Sequence, residues 1–318
     1  MTDPQTQDDP PDAASGQRGA VVIAGGSGLI GRRLSAVLAG AGYDVVILTR
    51  SAPRPAVGPI RFAQWRGAEA SSDETWPELL EGAQAVVNLC GESIGGPRWT
   101  PARKSRLIES RVGPTEALVS AINAADSPPA VFLQVSGVGY YGTGNRPVTE
   151  SSGRGDDFLA DLAVRWEAPV KSLRTDVRPV IARLGVVLAV TGGALTQMLM
   201  PFRLFVGGPI ASGNQWLSWI HLHDAGSALE MLLEQPDCRG VYNLTAPNPI
   251  RNADFAKAAG HALKRPSWMF TPRILLKGLL GEQATLVCDG QQALPERLEK
   301  ANFRFSYPTI ESALEALL

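Results

Sequence analysis

Residues Val21-Val22-Ile23-Ala24-Gly25-Gly26-Ser27-Gly28-Leu29-Ile30-Gly31 join a β-branched run to an amphipathic one through glycines spaced GxxGxxG. Each glycine has a separate task. Gly25 permits a tight turn, Gly28 lets backbone come close to a pyrophosphate, and Gly31 lets the following helix pack against the strand. Phosphates would then lie against unpaired N–H groups at the positive end of that helix. A tight turn with no ligand uses the same residues. A strand before, a helix after and a second strand at the right distance favour a dinucleotide site built on Gly25, Gly26, Ser27, Gly28, Leu29, Ile30 and Gly31.

The second strand, Val45-Val46-Ile47-Leu48, ends in Thr49-Arg50. A carboxylate at that point would read the free 2′-hydroxyl of NAD(H), whereas a guanidinium forms a charge-assisted fork with a 2′-phosphate. The expected cofactor is therefore NADP(H), with Thr49 and Arg50 at its phosphate. The plainer alternative for Arg50 is a solvated arginine at a strand end.

Short β-rich runs over 20–24, 44–49, 85–89, 131–136 and 179–184 alternate with helical spacing over 28–40, 100–125 and 157–174, which predicts a parallel sheet covered by helices. After Gly192 the rhythm loosens into Gly, Pro and Trp. It returns for a strand over 241–244 and helices around 251–263, 271–280 and 310–318. The expected fold is α/β: a Rossmann-like doubly wound parallel sheet with a smaller C-terminal lobe. Residues 1–19 read as a disordered tail, 20–262 as the NADP-binding domain with part of the substrate lobe, and 263–318 as a helical domain completing that lobe.

Thirty basic residues against 31 acidic leave a net charge of -1, so no global field recruits nucleic acid or an anionic membrane. The apolar runs are strand-sized, far short of the roughly 20 residues that span a bilayer. Cys90, Cys238 and Cys288 are widely separated and in no CxxC spacing, which fits a reducing cytoplasm. The expected partner is a small molecule, with oligomeric state left open.

The ordered series GxxGxxG, Asn88-Leu89-Cys90-Gly91-Glu92, Ser136-Gly-Val-Gly-Tyr140-Tyr141-Gly142, Trp166-Glu167, Ser218-Trp219-Ile220-His221 and Leu294-Pro295-Glu296-Arg297-Leu298 resembles the short-chain dehydrogenase/reductase superfamily. More closely it resembles the atypical "epimerase family" of the extended branch, over about residues 20–318. That resemblance implies a Rossmann-like fold, NADP(H) and a poorly defined oxidoreductase or epimerase activity. It carries cofactor contacts onto the 25–31 turn, Thr49, Arg50, Leu89, Gly91, Glu92, Ser93 and Glu167. Leu89 also reads as a buried strand residue, and Glu167 as a helix-surface carboxylate.

The superfamily's Tyr and Lys four residues apart are missing: positions four beyond Tyr43, Tyr140, Tyr141, Tyr242 and Tyr307 hold Ile47, Gly144, Asn145, Ala246 and Glu311. The helix that should carry the pair begins near Asp157-Phe158-Leu159, with apolar residues in both places. Two sugar-nucleotide signatures also depart, since Arg183 is followed by Val186 and Gln215 by Leu217-Ser218. Losing the diphosphate-gripping arginine disfavours an NDP-sugar substrate. Ser136 and Tyr140 are left as candidate catalytic groups, against the alternative of aromatic packing in a Gly-rich loop. No metal is expected, because His221-x-His223-Asp224 lacks a third nearby His or Cys and Asp224 reads as a helix cap. Arg98, Arg103, Lys104, Arg106 and Arg111 offer either a cationic rim or a solvated helix face. Trp216, Trp219, Met198, Met200, Phe202 and Phe205 read as a pocket wall or as the second lobe's core. The leading reading is an NADP(H)-dependent oxidoreductase, and the alternative a catalytically idle NADP(H)-binding sensor.

Overall fold

The computed structural model describes residues 18–67 and 75–318. Seven strands form the central sheet: β1 (Arg18–Ala24), β2 (Tyr43–Thr49), β3 (Ile60–Gln64), β4 (Ala85–Asn88), β5 (Val131–Gly137), β6 (Arg178–Leu184) and β7 (Gly240–Leu244). Their spatial order is β7-β6-β5-β4-β1-β2-β3, and every neighbouring pair is parallel. Successive strands are added outward in one direction from β1 to β3 and in the other from β4 to β7, so the strand order reverses between β1 and β4. Ligands of such sheets sit in the crevice outside the carboxyl ends of those strands.

The strands are apolar on both faces because both faces are covered. Val21, Ile23, Val45, Ile47, Val87 and Leu133 pack on one side with Leu34 and Leu38 of α1 (Leu29–Gly40). Val22, Val46, Leu48, Val86 and Phe132 pack on the other with Leu118 and Ile122 of α2 (Pro101–Ala124). Further helices are α3 (Phe158–Glu167), α4 (Ala194–Arg203), α5 (Leu222–Glu234), α6 (Asn252–Leu263) and α7 (Arg273–Leu280).

β1 begins at Arg18, two residues before the expected start, and the rest of the expected tail lies outside the described residues. β3 was not anticipated: it is a half-exposed edge strand, IRFAQ, without the buried apolar alternation that marks the others. α4 is hidden by Gly192-Gly193 before it and Pro201 within it. Helix α5, which follows the short strand Trp219–His221, is capped by His221 rather than Asp224. The His221 ring accepts from His223 N at 3.0 Å, while buried Asp224 accepts from Ser306 N and Tyr307 N at 3.1 and 2.9 Å.

The C-terminal residues are woven into the core rather than set beside it. Gln292–Ala293 pairs in parallel with Pro147–Val148, and the terminal helix Ile310–Leu317 shares a core with α4 and α6. Trp219 and Phe202 belong to that core and Met198 packs on it, whereas Met200 and Phe205 are exposed.

A Cβ placed on Gly31 would meet Gly26 Cα at 2.5 Å and the Gly25 and Gly26 carbonyl oxygens at 2.6 Å, all backbone. Gly31→Ala should therefore cost about 1–3 kcal/mol and lower Tm by several degrees. Gly40→Ala, at a helical position with nothing within 4 Å, should leave Tm unchanged or raise it. Thermal unfolding of both variants checks the pair.

Candidate functional site

The glycine turn holds the amino end of α1 against the carboxyl ends of β1 and β4. Gly25 has φ +78, and a Cβ there would stand 2.8 Å from the Leu89 carbonyl carbon. Gly28 donates to Gly25 O at 3.1 Å and caps α1 without any side-chain cap. The first intrahelical bond is Arg32 N to Gly28 O, so Leu29, Ile30 and Gly31 keep N–H groups that the helix does not claim. Ser27 and Gly28 are exposed there, and Arg32 Nη1 donates to Ser27 O at 2.8 Å. Uncapped donors on a glycine-rich cradle suit a pyrophosphate. The start of the second lobe also closes on this turn, since a Cβ on Gly193 would lie 3.1 Å from the Leu29 side chain.

Thr49 ends β2, and Arg50 stands exposed just beyond it. The Arg50 charge reaches the neighbouring crevice wall: burial pushes the Cys90 thiol up to about 12, and Arg50 partly opposes this. Beneath Cys90, buried Asn88 donates to Gln134 Oε1 at 2.9 Å and Thr115 Oγ1 at 3.0 Å, and accepts from Cys90 N at 3.0 Å. This network fixes where the β4 chain turns out towards Leu89, Gly91, Glu92 and Ser93.

Two arginines of α2 hold that segment. Arg103 pairs with the Glu92 carboxylate and donates to Ser93 O at 2.7 Å; Arg111 donates to Glu92 O at 2.8 Å and stacks 4.8 Å from the Trp166 ring. Both are buried, and burial brings Arg111 down to about 10. Neither a solvated face nor a cationic rim describes these two residues. They shape the backbone of 91–93.

On β5, Ser136 lies opposite Arg183 of β6 and is 2% exposed, and its Oγ has no hydrogen-bond partner among the described residues. The following turn presents Tyr140 and Tyr141 with rings nearly perpendicular, 5.3 Å apart. Arg183 organises both. Its guanidinium carbon lies 3.3 Å from the Tyr140 ring centre, and its Nη1 donates to Tyr141 Oη at 3.0 Å. Tyr141 in turn donates to Asn243 Oδ1 at 2.7 Å. Burial raises the Tyr141 pKa, with Arg183 opposing, so this phenol is a fixed structural donor.

Arg183 is answered by Glu167 at the end of α3, through Nε to Oε1 at 2.8 Å and Nη2 to Oε2 at 2.7 Å. Burial works against the guanidinium charge, but the carboxylate outweighs it and holds Arg183 above its usual range. Glu167 is 7% exposed, which overturns its reading as a helix-surface carboxylate. Both its oxygens face Arg183.

The profile of the NAD dependent epimerase/dehydratase family matches residues 21–161, and that of a domain of unknown function, DUF1731, matches residues 271–317. The chain is 39% identical over 302 residues to the chloroplastic epimerase family protein SDR39U1 homolog of Arabidopsis thaliana, covering 94% of this chain and 86% of the relative. It therefore belongs to the epimerase family, among the SDR39U1 homologues. Epimerase family protein YfhF of Bacillus subtilis is 35% identical, with 94% of this chain and 97% of the relative covered. The human SDR39U1 crystal structure with NADPH superposes with a TM-score of 0.84 at 34% identity, covering 94% of this chain and 98% of that one. MoeE5, crystallised with UDP-glucuronic acid and NAD, has a TM-score of 0.74 at 16% identity and shares the fold alone.

The start of α3, which lacks a Tyr and Lys four residues apart, is filled by packing. Leu159 lies against Gly139, below the Tyr140 turn, where a Cβ would meet it at 3.1 Å; Ala163 is buried. Ser218, at the departed sugar-nucleotide signature, donates to Gln291 O at 2.7 Å and accepts from Ala293 N at 2.8 Å. Its hydroxyl ties down the C-terminal strand. His221, with its ring 3.9 Å from Tyr307, is brought down to about 4 by burial and packs as a neutral ring.

The Glu167 and Arg183 pairing was not visible in the sequence, although an arginine inside an apolar strand signals a buried counter-charge. Glu167→Ala should leave that guanidinium uncompensated and cost about 3–5 kcal/mol in urea unfolding. Adding Arg183→Met should recover much of the loss, giving a coupling energy well above about 1 kcal/mol in the double-mutant cycle.

Proposed function

We propose that this chain binds NADP(H) across the β1/β4 crevice and uses it to reduce or oxidise a small carbonyl or alcohol substrate. The observation that carries the reading is the uncapped amino end of α1 on a glycine-rich turn, with Arg50 at the end of the next strand. The human relative's crystallisation with NADPH supports it. Leu29, Ile30 and Gly31 N–H groups would hold the pyrophosphate, Thr49 and Arg50 the 2′-phosphate, and the backbone of Leu89, Gly91, Glu92 and Ser93 the adjoining wall. Glu167 would act on the cofactor side through Arg183.

The nicotinamide supplies or accepts hydride when bound. This chain supplies the rest. Ser136 Oγ, buried and unpartnered, would hold the reacting oxygen or a carboxamide. Tyr140, whose ring packs against the Arg183 guanidinium, would give that oxygen a proton or take one from it. Leu217 in place of a diphosphate-gripping arginine argues against an NDP-sugar. Three unpaired cysteines suit a reducing compartment such as the cytoplasm.

A second reading, an NADP(H)-bound sensor without turnover, is favoured by the lack of any Tyr and Lys four residues apart in the sequence. The two separate on whether a carbonyl compound ever oxidises bound NADPH. For cofactor choice, Arg50→Asp should weaken NADPH about 10- to 100-fold in fluorescence titration while changing NADH less than about threefold. Equal loss for both nucleotides would remove Arg50 from the 2′-phosphate.

A further inference from the structure

α7 is unlike every other described helix of eight or more residues in burying none of its side chains. Leu276 and Leu280 rest against Ile210 and the Ala284 and Cys288 cluster. The opposite arc presents Ile274 at 82% exposure, with Leu275 and Leu279 beside it. Trp268, 74% exposed, and Phe270 extend this face on the segment leading into α7.

The end of α4 continues the same surface. Met269 N donates to Gly207 O, Thr271 N to Pro209 O and Ala211 N to Thr271 O, each at 2.9–3.0 Å, which lays the exposed Leu204 and Phe205 beside it. Together these side chains expose on the order of 1,000 Å² of apolar surface, where a monomer's largest patch is typically a few hundred.

The unpaired charge of this segment has one sign. From Lys264 to Gly281 the chain carries Lys264, Arg265, Arg273 and Lys277 and no acidic residue. Arg273 is neutralised by Asp289, whereas Lys264, Arg265 and Lys277 are exposed and make no ion pair among the described residues. Arg265 lies 4.2 Å over the Phe205 ring, at the edge of the apolar area. A symmetric contact with a second copy would bring these cations against their own counterparts. Exposed Trp, Phe and Leu flanked by Lys and Arg match the boundary between headgroups and acyl chains of an anionic bilayer.

We infer that the 264–281 segment with the end of α4 is a peripheral docking face for an anionic lipid surface. The net charge of -1 averages over this asymmetry and hides it. The face adjoins the crevice: Arg98 donates to Gly278 O at 3.4 Å, Lys104 pairs with Glu282 at 2.6 Å and Gln283 donates to Ile94 O at 3.1 Å. Docking there would set the substrate lobe against the membrane. The inference does not depend on NADP(H) binding.

The test is sedimentation of the full-length protein with vesicles of phosphatidylcholine alone and of phosphatidylcholine mixed with phosphatidylglycerol. Partition into the anionic vesicles should exceed that into neutral ones at least about tenfold. Ile274→Ser with Leu279→Ser, and separately Arg265→Glu with Lys277→Glu, should each weaken it about tenfold or more with Tm unchanged, since all four side chains are exposed. Absence of partition into either vesicle, or equal partition by wild type and both variants, would overturn the assignment. So would a wild-type dimer in sedimentation equilibrium that the serine pair dissolves without any vesicle binding, which would give the face to a second copy.

Discussion

Helix α1 sits on the Gly25-Gly26 turn at a separation that admits no side chain, and everything at the carboxyl edge of the sheet is arranged around that contact. With Gly31 against the turn and no capping side chain on Gly28, the helix presents its first N–H groups outward instead of consuming them. The cost of assembling such donors is met by the sheet beneath, whose strands are buried on both faces. From there the crevice is closed by neighbours that each answer to the same position: Leu89 below Gly25, Gly193 beside Leu29, and Arg50 at the next strand end.

A second constraint lies across the sheet, where a full charge is buried. Arg183 is tolerable inside an apolar strand only because Glu167 meets it with both oxygens and Tyr141 and Asn243 complete the hydrogen bonding. Having been fixed there, the guanidinium packs against Tyr140 and under the edge where Ser136 ends. The start of α3 carries no Tyr and Lys four residues apart, and Leu159 and Ala163 pack there. The buried polar side chains Ser136 and Arg183 lie opposite one another instead at the ends of β5 and β6.

What was legible in the sequence follows the burial pattern. The six interior and inner-edge strands are apolar runs bounded by turn residues, and the helices between them have regular spacing, so both are readable without a structure. β3 is not, because an exposed edge strand carries no such pattern. Glycine spacing located the turn because the requirement is local: φ +78 at Gly25 and zero side-chain volume at Gly31 concern single residues. Arg103, Arg111 and Glu167 were misread or left between alternatives for the opposite reason. Their burial is created by segments distant in the chain, the 91–93 backbone for the arginines and β6 for the glutamate. The exposed face of α7 likewise has an ordinary helical sequence, and only its packing shows that Leu276 and Leu280 face inward while Ile274 and Leu279 do not.

The account turns on one nucleotide entering the crevice at the amino end of α1. Isothermal titration of the purified wild-type chain with NADPH measures this directly. Saturable binding at one nucleotide per chain is the predicted result, and an absence of any saturable binding would contradict it.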